Sequence, residues 1–223
     1  MAGLDPGLVA VRLAEVRARI AAAGGVDVAV MAVTKTFGPD AIAAAMDAGC
    51  RDIGENYAQE LVSKLSALAT TAPLCQPEVH FIGHLQSNKV RALVPYVHLW
   101  QTVDRPSLVD ELAKRVPGAR VLLQVNTTGE AAKSGCHPDA LAALLDRARA
   151  SGLAVEGLMT IGPLEGGERA TRSAFRRLRA LADGAGLTTV SMGMTHDLEI
   201  AVEEGATMVR VGTALFGPRP PIA

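Results

Sequence analysis

An excess of charge of either sign is missing from this chain. Its 22 basic residues meet 23 acidic ones in 223, a net charge of −1. That balance gives no electrostatic pull toward nucleic acid or an anionic membrane, so neither is expected as a partner. No apolar run approaches the roughly 20 residues that span a bilayer. Residues 1–7 lack a basic start and lead into an amphipathic segment, so a signal peptide is not expected either. Cysteine is scarce and odd in number. Cys50, Cys75 and Cys136 stand far apart, with no C-x-x-C pair and no zinc spacing. They read as free thiols in a reducing cytoplasm, and no metal site is expected. A G-x-S-x-G elbow, a G-x-G-x-x-G turn and a Walker loop are all absent.

Lysine is the most informative scarcity. Of the 22 basic residues 17 are Arg, leaving Lys35, Lys64, Lys89, Lys114 and Lys133. A chain that uses Arg for plain positive charge retains Lys more readily where an amine is needed. Lys can become a nucleophile at accessible pH, whereas Arg stays protonated. Lys35 sits in "MAVTKTFG", between two threonines at the end of an apolar run. Taken locally, it is either a strand end reaching solvent or a lysine kept for its amine.

What is present is abundant apolar sequence, 49% of residues, in alternating helix and strand patterns. Strands are expected over 28–34, 52–54, 79–83, 97–103, 121–126, 155–160, 188–192 and 207–212. A first helix carries Val9, Leu13, Val16 and Ile20 and stops at Gly24-Gly25. Further helices are expected from Pro39 to Gly49, over 57–68 with an inward stripe of Tyr57, Leu61, Leu65 and Leu68, and over 87–94, 106–116, 138–150, 168–181 and 196–204. Residues 70–78 read as a loop, and 216–223 as a Pro-rich tail. Every strand but the last is thus followed by a helix. Several strands are apolar at consecutive positions, which implies burial on both faces of a parallel sheet. An open doubly wound sheet and a closed (β/α)8 barrel both fit. Three similar passages, "DAGCRDIGEN", "ASGLAVEGLMT" and "EEGATMVRVGT", favour the barrel of repeated units. With no linker or shift in composition, one domain over 1–223 is expected.

In a barrel, chemistry gathers where strands end. Those ends hold Thr34-Lys35-Thr36, Gly54-Glu55-Asn56, Gly83-His84, Asn126-Thr127, Met159-Thr160, "SMGMT" at 191–195 and Gly212-Thr213. "SMGMTHD" reads as a strand end, a glycine and a helix start near Thr195, a setting suited to an anion. "VGT" adds a second glycine and hydroxyl nearby. The bland alternative is that these residues only make turns and caps. Arg210 interrupts the apolar run "TMVRVGT". Arg is seldom buried alone, so it needs either a ligand near the barrel mouth or a carboxylate partner. His80 and His84 share no ligand face at their spacing on a strand-to-loop passage. Cys136 and His137 fit a turn before the helix start at Pro138.

Read together, "AVTKT", "IGENYAQE", "HFIGHLQSNK", "NTTGEAAKSGC", "GLMTIG" and "SMGMTHDLEIAVEEGATMVRVGTALFG" run in order through nearly the whole chain. They closely resemble the pyridoxal-phosphate homeostasis proteins (YggS/PROSC family), relatives of the N-terminal barrel of alanine racemase. The resemblance implies a single-domain (β/α)8 barrel with an extra N-terminal helix. It implies that Lys35 forms an internal aldimine with pyridoxal 5′-phosphate (PLP). Ser191, Gly193, Thr195, Gly212 and Thr213 match positions around the phosphate, Arg210 the arginine facing the pyridine nitrogen, and Asn56 the asparagine of the Gly-Glu-Asn motif. Thr195 stands where many members carry Ser and keeps the hydroxyl. Nothing is carried over to His196 or the tail. An arginine beside Lys35 would lower the amine's pKa, and at the ring nitrogen it disfavours protonation, which makes the ring a weak electron sink. The implied function is PLP holding and delivery in the cytoplasm by a monomer, with apo-forms of PLP-dependent enzymes as partners and without robust turnover. An amino-acid racemase is the alternative, and a Schiff-base aldolase a third reading. Lys89 and Lys133 read as surface charges near the barrel mouth or as a second PLP site.

Overall fold

The computed structural model describes residues 4–72 and 74–218. Pro73, the first three residues and the part of the Pro-rich tail from 219 onward lie outside the described residues. Helix α1 (Pro6–Ala22) opens on Asp5, whose carboxylate accepts from the Gly7 N–H at 2.9 Å, with Pro6 in the first turn. Its buried Val9, Leu13, Val16 and Ile20 are the helical stripe read from the sequence.

Eight strand–helix units follow. They are β1 (Ala29–Val33) and α2 (Pro39–Asp47), then β2 (Asp52–Glu55) and α3 (Ala58–Thr71), then β3 (Glu78–Phe81) and the short α4 (Val90–Leu93). Next come β4 (Leu99–Val103) with α5 (Pro106–Arg115), and β5 (Arg120–Gln124) with α6 (Leu141–Ala150). The last are β6 (Ala154–Met159) with α7 (Gly167–Gly184), β7 (Thr189–Ser191) with α8 (Leu198–Glu203), and β8 (Met208–Val211) with α9 (Thr213–Phe216). All neighbouring strands pair in parallel, and β1 pairs with both β2 and β8. That double pairing closes the sheet, so the chain is a (β/α)8 barrel and not an open doubly wound sheet.

The main apolar core lies between the barrel and its helices, built from residues such as Ala32, Ile42, Ile53, Leu61, Phe81, Trp100 and Phe175. The barrel interior is different. Its separate apolar cluster is only Leu99, Leu122 and Met159. Buried His80, Gln101, Ser191 and Arg210 occupy positions where barrels usually carry branched apolar residues.

Four expectations are corrected. Tyr57 does not belong to the inward stripe of α3. It precedes the helix and is 52% exposed, while Lys64 takes a buried place one helical turn beyond Glu60. The helix expected from residue 196 begins at Leu198, because Asp197 turns its side chain back to the Met194 N–H at 2.5 Å and holds 194–197 as a turn. The last strand is also followed by a helix, α9. Finally, Phe216 ends that helix and is buried, its ring tilted against that of Phe37 with centroids 5.2 Å apart, instead of opening the tail. Among the cysteines, Cys50 and Cys136 are buried, and burial pushes each thiol up to about 11, which suits inert packing. His137 caps the turn at Pro138 by accepting from the Asp139 N–H, which explains the Cys136-His137 pair locally. Among the described residues no helix is long and apolar enough to cross a membrane.

Candidate functional site

At the C-terminal mouth of the barrel lies a cavity of about 470 Å³, a size common for small-molecule sites. Val33, Lys35, Ile82, Met194, Thr195, His196, Arg210, Gly212 and Thr213 line it. Five residues singled out in the sequence therefore meet in one space: Lys35, Thr195, Arg210, Gly212 and Thr213. They come from the turn after β1, the loop after β7, and the end of β8 with the start of α9, far apart in sequence and joined by barrel closure.

The other three sit around it. Ser191 is fully buried beneath the cavity, where its Oγ accepts from Arg210 Nη1 at 2.9 Å and donates to Gln101 Oε1 at 2.7 Å. Gly193 shapes the wall. Its φ is +89°, and a Cβ there would lie 2.4 Å from that of Ala201, so only glycine fits. Its carbonyl accepts from the Arg210 N–H at 3.0 Å and ties the loop to β8. Asn56 opens onto a neighbouring cavity of about 260 Å³ that also includes Tyr57, His84 and Lys89.

The helix start expected near Thr195 lies further on, at Leu198. Thr195 lies in the turn before α8, and its Oγ1 accepts from the Ala214 N–H at 3.4 Å in the first turn of α9. Barrel phosphate sites are commonly built from the loops after strands seven and eight with a short extra helix. Here that arrangement brings Thr195 and Thr213 to one wall, while the Ala214 N–H donates to Thr195 Oγ1 and the Leu215 and Phe216 N–H groups donate to the Gly212 carbonyl.

Arg210 is 4% exposed. Nη2 donates to the Thr160 carbonyl at 2.8 Å and Nη1 to Ser191. Among the described residues no carboxylate forms an ion pair with it. Burial pushes the guanidinium down to about 10, and the charge of Asp197 opposes that shift. A buried cation held by neutral groups fits an anionic or lone-pair-bearing ligand in the cavity better than a structural ion pair.

Lys35 sits in a turn just past β1, half-buried at the cavity wall. Its backbone is gripped from behind. The Thr34 carbonyl accepts from Lys64 Nζ at 2.7 Å, and the Thr36 N–H donates to Glu60 Oε1 at 2.5 Å. Lys64 also pairs with Glu55 Oε1 at 2.7 Å and Glu60 Oε1 at 2.5 Å, and Thr34 Oγ1 donates to Glu55 Oε1 at 2.6 Å. Burial pushes the Glu55 carboxyl up, against the pull of Lys64 and Thr34. Thr36 has φ of +70°, a strained value for a β-branched residue. Three buried polar atoms cluster at these two strand ends without a hydrogen-bond partner: Thr36 Oγ1, Glu55 Oε2 and Asn56 Oδ1. Such atoms are costly to leave unpaired, and none of the three residues lines the main cavity.

Lys133 is less of a surface charge than expected. Its side chain is 11% exposed, pairs with Glu130 at 3.1 Å and donates to the Gly162 carbonyl. Sequence reading passed over Lys64, Glu60 and Gln101. Lys64 carried a signal, as one of five lysines. So did Gln101, a polar residue inside the apolar run "HLWQTV", like Arg210 in its own run.

Comparison with known proteins agrees with this geometry. The family model for the alanine racemase N-terminal domain matches residues 9–220. A pyridoxal phosphate homeostasis protein of Pseudomonas aeruginosa is 44% identical over 95% of this chain and 96% of its own. PipY of Synechococcus elongatus, solved with PLP bound, is 34% identical with a TM-score of 0.80, covering 94% of this chain and all (100%) of that one. Alanine racemase from Corynebacterium glutamicum shares the fold alone, with 18% identity and a TM-score of 0.71 over 99% of this chain and 63% of that one. Identity, coverage and the barrel that closes around Lys35 and Arg210 lead to one assignment: the chain belongs to the pyridoxal phosphate homeostasis protein family, within the alanine racemase N-terminal domain group.

Proposed function

We propose that this protein binds pyridoxal 5′-phosphate as an imine on Lys35 and serves in intracellular PLP homeostasis or delivery, not in robust turnover. One observation carries the reading: an amine, a buried guanidinium and glycine- and hydroxyl-bearing strand ends line a single cavity. The names of the relatives and the PLP-bound PipY structure support it.

PLP supplies an aldehyde that condenses with an amine and a ring that withdraws electrons. Lys35 would supply the amine for that condensation. Thr195, Gly212 and Thr213, beside the first turn of α9, would hold the phosphate. Ser191 and Gly193 act from beneath, through Arg210 and the loop. Arg210 donates toward the ring nitrogen and disfavours its protonation, so the ring withdraws electrons weakly. Asn56 would stand beside the site, at the neighbouring cavity that it lines with Tyr57 and Lys89. The whole chain works as one barrel domain and a monomer, loading apo-forms of PLP-dependent enzymes in the cytoplasm.

Racemisation needs a base on each face of the substrate. The chain has two tyrosines, Tyr57 and Tyr96. Tyr57 lines the neighbouring cavity, and Tyr96 borders a groove with Arg51 and Glu78 at the opposite end of the barrel. Neither is placed as the second base.

Titration with PLP is expected to give a saturable visible absorbance. The loaded protein is expected to restore activity to an apo-form of a PLP-dependent enzyme, while racemase assays across the amino acids stay at background. A protein that remains colourless after PLP incubation, or robust racemase turnover, would overturn the reading.

A further inference from the structure

Polar residues inside the barrel do not stand singly. Arg210 Nη1 donates to Ser191 Oγ at 2.9 Å, and Ser191 Oγ donates to Gln101 Oε1 at 2.7 Å. Gln101 Nε2 meets His80 Nδ1 at 2.8 Å, and His80 Nε2 meets Asp52 Oδ1 at 3.1 Å. Asp52 begins β2 at the N-terminal mouth of the barrel, 33% exposed, while Arg210 faces the cavity at the other mouth. Ser191 and Gln101 are fully buried, and His80 is 4% exposed.

The donors and acceptors run in one direction. If His80 carries its proton on Nε2, that group donates to the Asp52 carboxylate and leaves Nδ1 to accept from the Gln101 amide. Gln101 Oε1 then accepts from the Ser191 hydroxyl, whose oxygen accepts from the guanidinium. Every hydrogen bond therefore points from the cation to the carboxylate, and aligned bonds in a low-dielectric interior polarise one another. Beside Asp52 also stand Glu78, its register partner on β3, and Arg120, which is itself paired to Glu156 at 2.5 Å. Asp197 acts on Arg210 only through space; among the described residues no carboxylate pairs directly with it, and the chain ends on the carboxylate that hydrogen bonds connect to the buried cation.

We propose that Asp52 is the remote counter-charge of Arg210, and that His80, Gln101 and Ser191 are positioning residues that orient the guanidinium toward the ligand. The proposal rests on PLP occupying the cavity, with Arg210 at its ring. It adds a control point about one barrel height away from the cofactor, on a surface the ligand does not touch.

The test uses the full chain. Asp52→Asn is expected to weaken PLP binding roughly fivefold, the worth of about 1 kcal/mol, and to shift the absorbance maximum of the bound cofactor. Gln101→Leu should do the same more strongly. Asp146→Asn removes an equal charge from the exposed face of α6, outside the chain, and should change neither readout. An unaltered spectrum and affinity in Asp52→Asn, or equal changes in Asp146→Asn, would overturn the inference. Nitrogen-15 NMR of His80 in the unloaded protein gives a readout that needs no PLP. A proton on Nε2 is expected, and a proton on Nδ1 would overturn the inference. A wild type that binds no PLP but shows His80 in the expected form would instead remove the PLP reading and leave the hydrogen-bonded chain standing.

Discussion

Lys64→Met is expected to lower the free energy of unfolding by about 3–5 kcal/mol, the range found when one member of a buried ion pair is removed. Lys64 is 5% exposed and Glu55 0%. Removing the amine strands the Glu55 carboxylate, whose Oε2 already lacks a partner. It also frees the Thr34 carbonyl and leaves the turn that carries Lys35 held by Glu60 and by the Thr34–Glu55 hydrogen bond. The pH dependence has a definite sign. Burial already raises the Glu55 pKa in the fold, and loss of Lys64 raises it further. A carboxyl with a raised folded pKa favours the folded state below its unfolded value. That contribution is lost as pH rises above the ordinary carboxylate range. The variant's deficit should therefore be largest at neutral pH and shrink as pH falls toward that range. Urea midpoints across pH for wild type, Lys64→Met and Lys64→Met with Glu55→Gln check this. The double variant should recover part of the loss, because no carboxylate is then left unpaired. A single-variant cost under about 1 kcal/mol would show that water reaches the pair.

Gly83→Ala should be at least as disruptive locally. A Cβ at Gly83 would lie 2.0 Å from the Asn56 carbonyl oxygen and 2.8 Å from its Cα. Those atoms are backbone, so no side chain can swing aside. The Gly83 carbonyl also accepts from Thr102 Oγ1 at 2.7 Å, which fixes the segment from the other side. Relief requires moving the end of β2 away from β3, at a cost of about 3 kcal/mol, and displaces Asn56 with it. Gly184→Ala is the control. Nothing lies within 4 Å of its added Cβ, and it closes α7, so stability should hold or rise by up to about 0.5 kcal/mol. Denaturant midpoints separate the two, and PLP affinity of Gly83→Ala should fall along with its stability.

The eight strands were legible because each is a short apolar run bounded by glycine or polar residues. Barrel closure was legible only as a preference. Nothing local to β1 states that it pairs with β8, and that pairing brings Lys35 to Arg210. The strand-end residues were legible as types in place. Their division into cavity wall and supporting layer was not, since Ser191 and Thr195 read alike until the strand they follow has a direction and depth. Tyr57 and Lys64 show the limit of helical periodicity. A lysine with two carboxylates within reach takes a buried place on α3, and a tyrosine one residue before the helix turns outward. The turn at 194–197 was missed because one hydrogen bond, from the Met194 N–H to Asp197, outweighs a sequence that otherwise suits a helix. The interior chain from Arg210 to Asp52 draws on five strands, and no sequence spacing announces it.

Borohydride reduction of the PLP-incubated protein, followed by peptide mass analysis, tests the central claim most directly. Reduction fixes an imine as a stable secondary amine on the lysine that formed it. The expected result is one pyridoxyl-phosphate adduct, on Lys35, and none on the same peptide in Lys35→Ala. An unmodified Lys35 in protein that has bound PLP, with the adduct on Lys89, Lys133 or no lysine, would contradict the account.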